Sequence, residues 1–301
     1  MVLFEFISLG LLYLMADWIQ IGIIGSLVYS QLIVLIPAVL FLVCSREKMT
    51  HLITVTRPKV STSLLVIVLT YLCMPLIVTV NAISMLFVDN EVTALSGLLS
   101  EVPAWQVLLM VGILGPICEE FVFRGVLYHG FRKSGRIISA MLWSAFLFGL
   151  MHMNFNQMSY AIVVGVIGTF LVEGCGSIFY SILMHVCINM TNALQMVFMD
   201  VNAQMDGMAS EQFVEQTMQM PYKQALCIMI SIMAVIVTVT TTLAVCLFWA
   251  IIRKENRTEH MRMILHLQSG QEQKSRLVSV PLVLGIVLCL GYMILDVCLI
   301  E

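Results

Sequence analysis

The sequence predicts an all-α, polytopic membrane helix bundle of about eight transmembrane helices, and three observations predict it. First, of 301 residues 60% are hydrophobic and only 11% charged, with a mean hydropathy of +0.99, whereas soluble domains carry roughly 25% charged residues. Second, the chain contains repeated apolar runs near the length of about 20 residues that a helix needs to cross a bilayer. Third, the breaks between those runs alternate between basic and acidic. A net charge of −3 with no basic face argues against a nucleic-acid partner.

Taken in order, the start "MVLFEFISLG" has no positively charged leader region, so it reads as a lead-in to the first span and not as a signal peptide. The expected spans run over about 19–43, 62–87, 105–131, 137–153, 159–173, 176–198, 224–252 and 279–299. After the first comes a loop with Arg46, Lys48, Arg57 and Lys59. After the second, 88–104 holds Asp89, Glu91 and Glu101 without Lys or Arg. "FRKSGR" after the third carries Arg132, Lys133 and Arg136. Residues 199–222 carry Asp200, Asp206, Glu211 and Glu215 and no cation, and 253–276 carries six. The positive-inside rule then places the basic loops in the cytoplasm and both termini outside it. The whole chain, 1–301, reads as a single membrane domain of an integral, multi-pass protein, expected in the plasma membrane of a prokaryote. Its nine cysteines and 23 methionines lie mostly in apolar runs and read as packing residues. Gly165, Gly168, Gly174 and Gly176 around the fifth span predict close helix approach or a lateral cleft.

One segment violates the pattern. "CEEFVFRGVLYHGFRK" (118–133) places Glu119, Glu120 and Arg124 inside the third apolar span, where a charge costs about 2.5–3.5 kcal/mol even on the lenient insertion scale. Glu120 and Arg124, spaced i, i+4 with the acid first, predict a structural ion pair. Glu119 points about 100° away and is left as the free carboxylate, suited to a general base. At a rise of 1.5 Å per residue, Glu119 lies roughly 18 Å from the cytoplasmic end of its span, His152 about 22 Å, and His185 and Asn189 roughly 14 and 20 Å. Four polar residues from three helices thus share one layer of the bilayer. A lone intramembrane histidine is usually a hydrogen-bonded packing residue, but a free Glu with His can activate water, and His with Asn can donate to an oxyanion. These are parts for hydrolysing an amide bond. His51, His260 and His266 fall in basic loops and are assigned no role, and His129 is expected to face the interface.

The same residues spell three motifs in order: "EEFVFR" fits EExxxR, "FGLMH" fits FxxxH and "HVCIN" fits HxxxN. In these the chain resembles the CAAX protease and bacteriocin-processing (CPBP, or Abi) membrane proteins, over about residues 103–197. The resemblance implies an intramembrane endopeptidase that hydrolyses a peptide bond of a membrane-associated protein or peptide, lipidated or not. It implies that Glu119 activates water aided by His152, and that His185 and Asn189 stabilise the oxyanion. Glu120 and Arg124 fill the remaining motif positions. A Zn²⁺ held by Glu119, His152 and His185 is the alternative to a metal-free glutamate mechanism, which is preferred because no HExxH is present. Two rival readings are a non-catalytic, immunity-type protein of the same family, disfavoured by the intact motifs, and a proton-coupled transporter, disfavoured by the lack of an inverted repeat.

Overall fold

A computed structural model of the chain describes residues 22–45, 57–88, 102–206, 218–266 and 278–300. The N-terminal lead-in and most of the loops used to orient the spans fall outside these. Among the described residues every regular element is helical: α1 (Ile23–Ser45), α2 (Val60–Ser84), α3 (Ala104–Arg132), α4 (Ile137–Leu150), α5 (Phe155–Cys175), α6 (Ile178–Asp206), α7 (Tyr222–Lys254), α8 (Thr258–His266) and α9 (Val280–Ile300). Six of them (α1, α2, α3, α5, α7 and α9) are long and apolar enough to cross a membrane. The protein is therefore a polytopic helical bundle. All eight expected segments are helices, but two differ from the expected spans. The 14-residue α4 is the shorter apolar helix of the group. The 29-residue α6, which carries Ser181, His185, Asn189, Thr191 and Asn192, is not among the six. A helix of 14 residues covers only about 21 Å, so the turn that follows α4 ends short of the far side of a roughly 30 Å hydrocarbon core.

The break between α4 and α5 is written into the chain. Asn154 adopts an extended conformation and its side chain accepts the Gln157 N–H, capping α5, as asparagine does at exposed helix starts. At the other end Gly176 takes φ +70° and its N–H bonds the Val172 carbonyl, a left-handed cap that a β-carbon would strain. That reversal feeds α6 back through the bundle.

The expected single helix 105–131 is not uniform. Residues Met110–Leu114 and Phe121–Tyr128 of α3 are π-helical, on either side of the α-helical Gly115–Glu120. The wider i→i+5 winding is rare and is found mainly at functional sites. Here it brackets the two glutamates.

The core gathers around α3, α4, α5 and α6 and includes Phe123, Phe148, Leu171, Tyr180 and Met184, all nearly inaccessible. Glycines allow the close contacts, as expected: a β-carbon at Gly165 would stand 2.8 Å from the Ala145 backbone of α4, and one at Gly174 would stand 2.9 Å from the Phe248 ring of α7. None of the nine cysteines is in a disulfide. Cys73 and Cys289 are buried as expected, whereas Cys227 and Cys246 are exposed on α7, whose outer face is apolar and suited to lipid.

Polar contacts tie together the helix ends that border the basic segments. Lys59 Nζ donates to Glu255 Oε2 at 2.8 Å, Thr62 donates to Glu255 Oε1 at 2.5 Å, and the Tyr180 hydroxyl accepts the Lys59 N–H at 3.0 Å. Arg132 pairs with Glu173 at 2.6 Å. Arg257 in turn donates to the Glu173 carbonyl, so the described residues Lys59, Arg132 and Arg257 of the three basic segments meet at one end of the bundle.

Candidate active site

Glu120 and Arg124 form the expected pair, with Arg124 Nη1 2.8 Å from Glu120 Oε1 and both side chains wholly inaccessible. The pairing is coulombic: none of the buried guanidinium nitrogens makes a directed hydrogen bond. The flat guanidinium instead lies over the Phe148 ring, 4.4 Å from its centroid, a cation–π contact that gains from the absence of water. Glu120 has two further partners from α6. Ser181 donates to its Oε2 at 2.6 Å, and His185 Nδ1 stands 2.9 Å from its Oε1. A carboxylate in that position accepts, so Nδ1 carries the hydrogen and the other ring nitrogen, Nε2, is aimed elsewhere.

It is aimed at Glu119. His185 Nε2 lies 3.7 Å from Glu119 Oε2. Glu119 keeps 13% of its side chain accessible, against 0% for Glu120, so the neighbouring carboxylates differ in environment: one is sealed and held by three groups, the other stays partly accessible.

His152 stands in the turn after α4. Its Nδ1 is 3.0 Å from the Phe148 carbonyl, which can only accept, so this ring too carries its hydrogen on Nδ1 and presents a bare Nε2 when neutral. The Phe148 ring meets both imidazoles edge to face, at 5.4 Å for His152 and 5.5 Å for His185. One aromatic ring therefore fixes two histidines and one arginine from three helices. Asn189 is placed differently from the others. It lies one turn beyond His185, and its amide donates to the Val111 carbonyl at 3.3 Å, bracing the first π segment and leaving its second N–H.

Two features escaped the sequence reading. Ser181 belongs to none of the motifs, and it meets Gly168, where close helix approach was expected: a β-carbon at Gly168 would stand 2.6 Å from Ser181 Oγ and 3.1 Å from Arg124 Nη2. Glycine is needed there for α5 to admit both. The one available signal was the i, i+4 spacing of Ser181 and His185. The second feature is Glu173, which anchors Tyr128, Arg132 and His260 through its carboxylate (2.5, 2.6 and 2.5 Å) and Arg257 through its carbonyl (2.7 Å). His260, assigned no role above, holds α8 to the bundle. His129 also turns inward, with Nδ1 2.7 Å from the Arg124 carbonyl.

As for a metal, no group of three His, Cys, Asp or Glu side chains suited to holding an ion gathers among the described residues. Glu119, His152 and His185, the ligands of the alternative zinc reading, are not gathered into such a group; in each histidine the engaged nitrogen is Nδ1, which leaves Nε2 free.

Residues 101–191 match the family model described as type II CAAX prenyl endopeptidase Rce1-like. That segment is similar to the Rce1-like proteins. The match spans α3 to about the first half of α6, and so contains Glu119, Glu120, Arg124, His152, Ser181, His185 and Asn189, but just under a third of the chain. No curated protein and no solved structure matches the chain. The Rce1-like segment points to a CAAX-type protease acting within a lipid bilayer on a membrane-associated substrate.

Proposed function

We propose that the protein is an intramembrane endopeptidase of glutamate type, in which Glu119 activates the attacking water. The observation that carries this reading is the asymmetry of the adjacent carboxylates: Glu120 is sealed by Arg124, His185 and Ser181, while Glu119 is accessible and faces His185 Nε2.

The roles follow from which atoms are free. Water sits between the Glu119 carboxylate and the bare Nε2 of His152. Glu119 takes one proton as the oxygen adds to the scissile carbonyl carbon. His185, protonated and held through Nδ1–H by Glu120, turns Nε2–H toward the developing oxyanion, and the second N–H of Asn189 faces the same atom. When the tetrahedral intermediate collapses, the C–N bond breaks and Glu119 returns its proton to the leaving amine. Glu120 and Arg124 take no part in bond making. They keep the imidazole of His185 in one orientation, as an acid beside a catalytic histidine does. The substrate is an extended segment of a membrane protein or peptide, and a prenylated C-terminal tail suits a site at this depth.

The test is cleavage by purified protein in liposomes of a farnesylated C-terminal reporter peptide. Glu119→Gln keeps the shape and removes proton acceptance, so cleavage is expected to fall by about 10²–10⁴-fold, the range of general acid–base catalysis. Equal rates for the two proteins overturn the mechanism.

A further inference from the structure

The Rce1-like segment begins after α1 and α2, yet α1 packs on the stretch of α3 that carries the glutamates. It brings there one conspicuous group. Gln31 is the one carboxamide in α1, it lies well inside this apolar helix, and its Oε1 is buried without a hydrogen-bond partner. A buried polar atom without a partner destabilises a fold, and more so in a bilayer, where no bulk water substitutes.

The position of this amide suggests why it is tolerated. A β-carbon built on Gly115 would stand 3.7 Å from Gln31 Nε2 and 3.8 Å from Glu119 Oε1. The amide and the accessible carboxylate therefore flank the same bare backbone, one turn before Glu119. The depth agrees independently. Gln31 lies 14 residues before Ser45, about 21 Å along α1, and Glu119 lies 13 residues before Arg132, about 20 Å along α3. Glycine at 115 keeps the space between them free of a side chain.

We infer that Gln31 binds the substrate backbone: its Oε1 accepts an N–H of the extended peptide beside the scissile bond, with its Nε2 directed toward the Glu119 side. The inference rests on the peptidase reading and extends the site to a helix outside the Rce1-like segment. An extended peptide presents alternating N–H and C=O groups that lose water on entering the bilayer, and a carboxamide supplies both a donor and an acceptor to meet them. The orphaned acceptor of the resting protein becomes a satisfied one in the complex.

The experiment uses Gln31→Met, which is similar in length and apolar, in full-length protein reconstituted in liposomes. Three readouts are taken: thermal stability, cleavage of the farnesylated reporter, and binding of the same peptide to the Glu119→Gln protein. Removing an unpartnered polar group should leave stability equal or raised. The peptide should lose one hydrogen bond, so KM should rise about two- to tenfold with kcat and the pH profile unchanged. Binding to Glu119→Gln should weaken by the same factor when Gln31→Met is added. A purely structural amide predicts the reverse, a less stable protein with wild-type KM, and that result overturns the inference. If wild type and Glu119→Gln cleave alike, the peptidase reading fails while the binding comparison still judges Gln31. Unchanged binding, or no binding of the peptide to either protein, overturns the role given to Gln31.

Discussion

Arg124→Ala is the perturbation whose size the geometry sets most directly. It removes the cation 2.8 Å from a carboxylate with 0% exposure and leaves Glu120 with only Ser181 and His185. Losing one partner of a buried pair costs about 3–5 kcal/mol, because the remaining charge is uncompensated. The contact over Phe148 at 4.4 Å adds up to about 2 kcal/mol when desolvated, although the two losses overlap since they share one guanidinium. Glu120→Gln alone strands the arginine in the same way. The double variant strands neither charge, so its loss should be smaller than the sum of the singles by at least about 2 kcal/mol. The assay is a double-mutant cycle on reversible unfolding in mixed micelles, monitored by tryptophan fluorescence. Losses that add to within about 0.5 kcal/mol, the margin for independent sites, would refute the coupling and with it the structural ion pair of Glu120 and Arg124.

Three further outcomes are expected. Ser181→Ala should lower kcat by about 10–100-fold, the usual effect of losing a partner that orients an active ligand, while leaving the protein folded; wild-type kcat would remove Ser181 from the site. Glu173→Ala should release α8, since His260 loses its acceptor, and limited proteolysis should then cut near 254–258 faster than in wild type; equal protection would show that the apolar contacts of Met261 and Ile264 hold α8 without it. Glu255 lies just beyond α7: burial pushes its carboxyl up, but hydrogen bonds from Lys59 and Thr62 and the Lys59 charge outweigh this and hold it below the usual carboxylate range. A depressed folded-state value means the contribution is present at neutral pH and is lost as pH falls through that lowered value. Lys59→Ala should therefore flatten the acid limb of the stability profile, and an unchanged limb would contradict the assignment.

What the sequence by itself determined was the solvent and the inventory. Hydropathy marked the chain as a membrane bundle because a backbone in hydrocarbon must close its own hydrogen bonds, which leaves helices as the solution for apolar runs of this length. The same reasoning made Glu119, Glu120, Arg124, His152, His185 and Asn189 conspicuous, because polar groups in hydrocarbon need a reason, and counting the rise per residue put them at a common depth. Spacing also anticipated the Glu120–Arg124 pair, a contact within one helix. Contacts between helices were decided only by the tertiary structure. Ser181 meets Glu120 across 61 positions of sequence, and His260 meets Glu173 across 87, so no local period encodes either. Nor does a wheel of 3.6 residues apply through the two π segments of α3. Polarity and length were local properties and could be read along the chain. Which nitrogen of His185 faces Glu120 and which faces Glu119, and whose amide borders Gly115, depended on how α1, α3 and α6 rotate against one another, and only the packed bundle fixes that.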